Sequence, residues 1–544
     1  MDSLAHSSLS VQEIATDEFP DFENDIRFRA TQMHLPPESH TDLARECILP
    51  TSIEYGGSSR ENPSNDLEFQ HAVDENTGFG LIKVPEKVGS VGLLHQSTEW
   101  PSLVSRYFHM IEDTPLFPSL ENETTTLVQH YFRDTCATWS SFDSEKNPFR
   151  TAIEGLWQKS PLIYYAIQSN AAVHLSNQLS SMQATAFTMR EKAHVAFLQE
   201  LQNASNSQST GDQLLLATLL LGVSACWHDS GDLGLSYLQI ARSLVRARVM
   251  RQSSINHHPL NRNVRFFVEA LIYWEMVIAF VSGEGFRSSL AWTPDPSTFP
   301  WAGPETVTVI PHPWTGVAPR VMLLFAEVGH LVQNYAKSDD QAREDLNLVA
   351  SVIKLEEDLL SASIPTEDQI ADVYDDLTSK NDFVVFAEAT RCAALLQVYR
   401  VFPDVLRRRL GAGTLNIKSY LGIIEPNNGS NMIGSWLVGL AMHVLNLLAS
   451  IPTYSGVRCV QLLPLATAAF ELRTAPGTSY SDVDIARFRD FVMKRLQLLA
   501  GRLPLKPISR TMQVLQEVWR RNDRGDEAFW LNVMIEKSWK VFLG

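Results

Sequence analysis

Cysteine is sparse in this 544-residue chain: there are five, Cys47, Cys136, Cys226, Cys392 and Cys459, and no CxxC pair among them. An odd, dispersed set excludes a disulfide framework and a thiolate zinc module, and reads as buried or idle thiols. Long apolar runs are missing too. The most apolar, LLLATLLLGVSACW (Leu214–Trp227), stops short of the ~20 residues a membrane span needs. The opening MDSLAHSSLSVQEIATDEF has neither a basic nor an apolar signal region, so the expectation is a soluble intracellular protein. The sequons at Asn122, Asn203 and Asn428 then carry no meaning.

Phosphate-binding loops are absent: there is no GxxxxGK[ST], and GAGTLN (Gly411–Asn416) lacks a third glycine and a preceding strand. Neither GxSxG nor HExxH occurs. Basic charge is scarce, with a net charge of −17, and the first hundred residues hold 18 acidic against 6 basic side chains, which places −12 there. Such a chain without a basic stripe is a poor direct ligand for nucleic acid, whose phosphates need clustered Lys and Arg.

What is present divides at about residue 100. Before it, Ser, Asn, Gly and Pro recur (YGGSSRENPSND) and no helical period persists, so 1–100 reads as a largely disordered acidic segment. One piece of it, ATDEFPDFENDIRF (15–28), threads Phe19, Phe22, Ile26 and Phe28 through acidic residues, the composition of a candidate activation segment. From 101 to 544 helical periodicity dominates. Asn147-Pro148 and Ser160-Pro161 each put a capping side chain before a helix-starting proline, and Phe149, Ile153, Leu156 and Trp157 share one face.

PLIYYAIQSNAAVHLSNQLSS reads as the next helix, and GDQLLLATLLLGVSACW, apolar all round, as a central one. Asp232 is expected to cap LGLSYLQIARSLVRAR, with Arg242, Arg246 and Arg248 at its C-terminal end. Further helices are expected at 264–281, 320–336, 341–362, 382–401, 432–449, 454–473, 482–499, 508–520 and 528–542. Strand-like alternation is confined to PETVTVIP (Pro304–Pro311). The expected fold is all-α, an irregular multi-helix array of stacked helical hairpins, with no fixed repeat.

Chemistry is hard to assemble from these residues. Glu-x-x-His, the pair that bundle di-metal sites carry on facing helices, occurs at Glu68/His71, Glu191/His194 and Glu327/His330, and the plainer reading is ordinary helix-surface neighbours. Cys226, His228, Asp229 and Asp232 in CWHDSGD read as a turn between antiparallel helices, and His257-His258 as a polar connection. The sequence therefore predicts no catalytic residue, no metal site and no resident cofactor.

The stretch LVQHYFRDTCATWSSFDSEKNPFRTAIEGLWQKSPLIYYAIQSNAAVHLS resembles the opening of the fungal-specific transcription factor domain, the regulatory region of fungal zinc-cluster regulators. LLLATLLLGVSACWHDSGDLGLSYLQIARSLVRAR, FFVEALIYWEMVIAFVSGEG and VLQEVWRRNDRGDEAFWLNVMIEKSWKVFLG resemble its later parts, so the likeness spans about 105–544. The six-cysteine cluster that usually precedes this domain has no counterpart, since Cys47 is the only cysteine before Cys136. The resemblance implies an all-α regulatory domain and a non-enzymatic nuclear regulator, with shuttling to the cytoplasm. It also implies control of a single pathway, such as a secondary-metabolite gene cluster, through a DNA-binding transcription factor, the transcription machinery or a small effector. Two other readings are a ligand-controlled interaction scaffold and an all-α metal enzyme built on Glu191/His194 and Glu327/His330.

Overall fold

A computed structural model describes residues 123–206, 212–255, 260–282, 308–337, 346–410, 429–473 and 480–544, all within the unit Gly92–Gly544. They form helices joined by turns; among the described residues there is no strand, only isolated bridges. The fold is all-α. Helix α1 (Glu123–His130) runs into a π-helical turn, Tyr131–Thr135, and one more α-turn, Cys136–Trp139. Then come α2 (Pro148–Leu156), α3 (Pro161–Leu175), α4 (Met182–Asn206), α5 (Asp212–Val223), α6 (Leu235–Ile255), α7 (Arg262–Ile278) and α8 (Pro319–Lys337). The second half holds α9 (Leu346–Ser361), α10 (Lys380–Val401), α11 (Pro403–Arg409), α12 (Gly429–Ser450), α13 (Leu462–Ala469), α14 (Asp482–Ala500), α15 (Leu505–Asn522) and α16 (Trp530–Lys537).

Caps explain most of the starts. Asn147 accepts from the Phe149 N–H ahead of α2, and Ser160 from Ile163 ahead of α3. In both, proline occupies the first helical position, where a missing N–H costs nothing. Reciprocal capping boxes, Ser379 with Asp382 and Ser481 with Asp484, begin α10 and α14. Packing follows chain order in hairpins, α3 on α4, α5 on α6 and α7 on α8, while α10 gathers α8, α9, α12 and α13 around it. From Phe266 to Ile278 every residue of α7 is buried, and each such Leu, Ile or Phe contributes about 1.5–3 kcal/mol. Over Ile433–Ser450, α12 is long and apolar enough to cross a membrane by length and composition, but here it packs on α10 and α13.

Several expectations need correction. The longest helix, α4 at 25 residues, lies where the sequence reading delimited none. Its inward face is Met182, Ala186, Met189, Ala193 and Phe197, while Phe187, Val195 and Leu198 point outward. Large apolar residues on the outer face as well as the inner one blur the 3.6 period. The expected 211–227 helix breaks at Ser224, whose hydroxyl donates to the Leu220 carbonyl at 2.5 Å, and resumes for one turn, Ala225–His228.

Asp232 does not cap α6; its Oδ1 accepts from the Gly234 N–H and its Oδ2 meets Arg190 at 2.8 Å. Helix α6 continues to Ile255, so its arginines are not terminal: Arg242 pairs with buried Glu275 and Arg248 with Asp212. The 454–473 helix is split into a 3-10 turn, Gly456–Val460, and α13, because Pro464 lacks an N–H and fits only a first turn. The last helix stops at Lys537, where Ser538 takes a left-handed φ of 55°, and the tail to Gly544 is not helical. Of the strand-like PETVTVIP, Val309 alone forms a bridge, to Ile370, and 304–307 lie outside the described residues.

Candidate functional site

The predicted activation residues Phe19, Phe22, Ile26 and Phe28 lie outside the described residues, as do Cys47, Glu68, His71 and His257-His258. The other candidates are dispersed. Glu191 and His194 are at the surface of α4, where His194 Nδ1 lies 2.7 Å from the Tyr237 hydroxyl. Glu327 and His330 are buried on α8, and burial, helped by Arg242, pushes the His330 imidazole down to about 4. Among the described residues no three His, Cys, Asp or Glu side chains converge as metal ligands do, so the two pairs form no joint site.

The CWHDSGD residues are each engaged locally. Cys226 Sγ donates to the Val223 carbonyl, His228 Nε2 lies 3.3 Å from the Ser169 hydroxyl, and Asp229 Oδ1 accepts from the Gly231 N–H. Burial, with Arg190 and Lys506 nearby, pushes His228 down to about 3. Burial pushes the thiols of Cys136, Cys226 and Cys459 up, the last to about 12, so they are neutral and poor nucleophiles.

The polar stretch WSSFDSEKNPFR (Trp139–Arg150) is the most connected segment. Fully buried Asn147 donates from Nδ2 to Ser140 Oγ at 2.9 Å and to the Phe142 carbonyl at 3.2 Å, while its Oδ1 caps α2. Arg150 grips both Asp143 oxygens at 2.6 Å and donates to the Phe132 carbonyl at 2.6 Å. The segment reaches distant parts of the chain. The Asp143 N–H donates to Asp375, Lys146 Nζ to the Asp372 carbonyl, and the Ser141 N–H to the Pro313 carbonyl. Thr378 Oγ1 donates to the Ser141 carbonyl and accepts from the Gly456 N–H. These hydrogen bonds tie the segment to distant parts of the fold.

Behind it lies an aromatic cluster that sequence reading did not find. Trp314 stacks on Phe149 with centroids 4.6 Å apart and donates from Nε1 to the Trp139 carbonyl at 2.8 Å. Trp139 packs edge-on against Trp227 at 4.7 Å, and Tyr273 lies 5.4 Å from Trp314. The signal was PHPWTG (Pro311–Gly316). His312 Nδ1 accepts from the backbone N–H groups of Trp314 and Thr315, and Gly316 takes a φ of +56°, which turns the chain inward. Burial, with Arg265 nearby, pushes His312 down to about 3, which keeps that nitrogen an acceptor.

Between this cluster, Leu503, Pro504, Pro507 and the tail residues Phe542 and Gly544 remains a cavity of about 40 Å³. Buried Trp139 Nε1 has no hydrogen-bond partner in the protein. A water needs roughly 10–15 Å³ and polar partners, so the space suits a few waters or one small group with an acceptor, not a metabolite undergoing chemistry. A second, open cleft of about 400 Å³ lies where α6 ends and α7 begins, lined by Asp212, Arg248, Arg251, Gln252, Asn261 and Asn263. Its two arginines and Asp212 make a charged rim that suits a charged ligand.

A family model described as the fungal-specific transcription factor domain matches residues 126–544. No curated protein and no solved structure matches the chain.

Proposed function

We propose, since the chain belongs to the fungal-specific transcription factor domain family, that this transcription regulator governs one pathway and reaches promoters through a DNA-binding partner. The family match over 126–544 carries this reading, and the family has a nuclear role. Residues 101–544 serve as the regulatory domain, and the acidic segment around Phe19, Phe22, Ile26 and Phe28 contacts the transcription machinery. The charge supports recruitment by a partner, since the first hundred residues are strongly acidic. Acidic surface is repelled by DNA phosphates. The internal use of the polar residues of Trp139–Arg150 and the small aromatic cavity support a non-enzymatic role, with a small effector as a further input.

Two experiments test it. Purified full chain is expected to leave naked promoter DNA unshifted at physiological salt and to shift it when its partner is added; a tight shift by the chain alone contradicts the partner model. Residues 1–100 fused to a heterologous DNA-binding domain are expected to drive a reporter, and a silent fusion removes the activation role.

A further inference from the structure

Four groups from three parts of the chain stand in a line. Asp134 Oδ2 lies 2.8 Å from His130 Nδ1, His130 Nε2 lies 2.8 Å from His174 Nδ1, and His174 Nε2 lies 2.7 Å from the Arg502 carbonyl oxygen. A carbonyl only accepts, so His174 Nε2 carries a hydrogen. The other two contacts each need a hydrogen as well, or two acceptors face each other at 2.8 Å. The line thus holds three hydrogens, one more than a carboxylate and two neutral imidazoles supply.

The placement of that extra proton follows from the surroundings. Burial acts to raise the Asp134 carboxyl, but hydrogen bonds from His130 and Arg133 outweigh it and hold the group below its ordinary value. Burial pushes the His174 imidazole down. Arg133 Nε also donates to Asp134 Oδ2 at 2.9 Å, so the carboxylate accepts and the extra proton is held by the imidazole pair, with His130 donating to Asp134 from one nitrogen and to His174 from the other. The charged and titratable groups around His130 are Asp134 and Arg133 from the π-turn and His174 from α3. From the α14–α15 turn comes the Arg502 carbonyl, and the Arg502 guanidinium acts on nearby Arg458.

We propose that this line is a proton-operated clasp: holding its extra proton it ties α1 and α3 to the α14–α15 turn, and losing it releases the turn. The break falls between the rings. When the proton leaves, the His130 hydrogen stays on the side of the Asp134 carboxylate, because a charge-assisted bond is roughly twice as strong as a neutral one. His130 Nε2 and His174 Nδ1 then meet lone pair to lone pair. The turn they hold walls the aromatic cavity through Leu503 and Pro504, and is also tied to the residues just after α3, where Asn177 donates to the Leu503 carbonyl at 3.1 Å. Raising the pH therefore loosens that wall.

Hydrogen exchange of the full chain tests this at the amides of Gly501, Arg502 and Leu503, which donate to the carbonyls of Gln497 and Leu499. Corrected for the intrinsic pH dependence of exchange, their protection is expected to fall at least tenfold between pH 6 and pH 8. His130→Phe cuts the line and is expected to give low protection at both. Asp134→Asn is the discriminating variant. Its amide donates to His130 Nδ1, so a neutral His130 completes the chain without an extra proton, and protection is expected to stay high at both pH values. Equal protection of the wild type at the two pH values overturns the clasp, as does an Asp134→Asn protein that loses protection like the wild type. If neither variant folds, the wild-type comparison alone decides.

Discussion

Replacing Asn147 with Ala removes one side chain and strands several groups at once. The Asn147 side chain is fully buried. Its Oδ1 caps α2 through the Phe149 N–H at 3.0 Å, and losing an N-cap costs about 0.5–2 kcal/mol. Its Nδ2 serves Ser140 Oγ and the Phe142 carbonyl. Each of these bonds contributes about 1 kcal/mol net, and more where the deserted partner is buried. The expected loss is roughly 3–5 kcal/mol, read as a lowered urea midpoint of the full chain at pH 7. Asn147→Asp keeps the cap but turns an anion toward the Phe142 carbonyl, and is expected to be at least as damaging, since an unpaired buried charge is costly. Exposed Glu145 in the same segment provides the control, with Glu145→Ala expected within about 0.5 kcal/mol of the wild type. A loss under about 1 kcal/mol for Asn147→Ala would show that the segment is not the structural junction described above.

Arg150→Lys is expected to cost about 1–3 kcal/mol in the same assay, because an ammonium cannot hold both Asp143 oxygens and the Phe132 carbonyl. Phe542→Ala, at a side chain 1% exposed against the aromatic cavity, is expected to cost about 3–5 kcal/mol and to enlarge that cavity; an unchanged melting temperature would place the tail elsewhere. Gly456→Ala drives a Cβ into the Ser141 carbonyl oxygen and is expected to lower soluble yield and melting temperature. His228, His312 and His330 are held at about 3, 3 and 4. Their folded values lie below the ~6.5 of an unfolded histidine, so their contribution is complete above pH 6.5 and is lost as pH falls. Stability is expected to drop by up to ~4 kcal/mol per pH unit below 6, and a urea midpoint constant from pH 6.5 to 5 contradicts this. The clasp acts in the opposite direction, above neutrality.

The fold class and most helices were legible because caps and apolar spacing are local signals. Asn147-Pro148, Ser160-Pro161 and the near-continuous apolar run of α5 announce themselves without tertiary context. The misses have physical causes. Helix α4 exposes Phe187, Val195 and Leu198 beside a buried face of Met, Ala and Phe197, so apolar residues lie on both sides and no single stripe stands out. Pro464 and Ser224 break helices through a missing donor and a side-chain bond that pattern matching passes over. The Trp139–Arg150 stretch was legible as a helix end followed by a start, but its partners Asp372, Asp375 and Thr378 are more than two hundred residues away. The His130–His174 pair was invisible for the same reason: 44 positions separate two side chains that meet at 2.8 Å.

The regulatory role is tested most directly by chromatin occupancy of the tagged full chain in its own cells. The expected result is discrete enrichment at the promoters of one functionally related gene set, lost when the DNA-binding partner is removed. Occupancy indistinguishable from an untagged control, in cells where those genes are being transcribed, contradicts it.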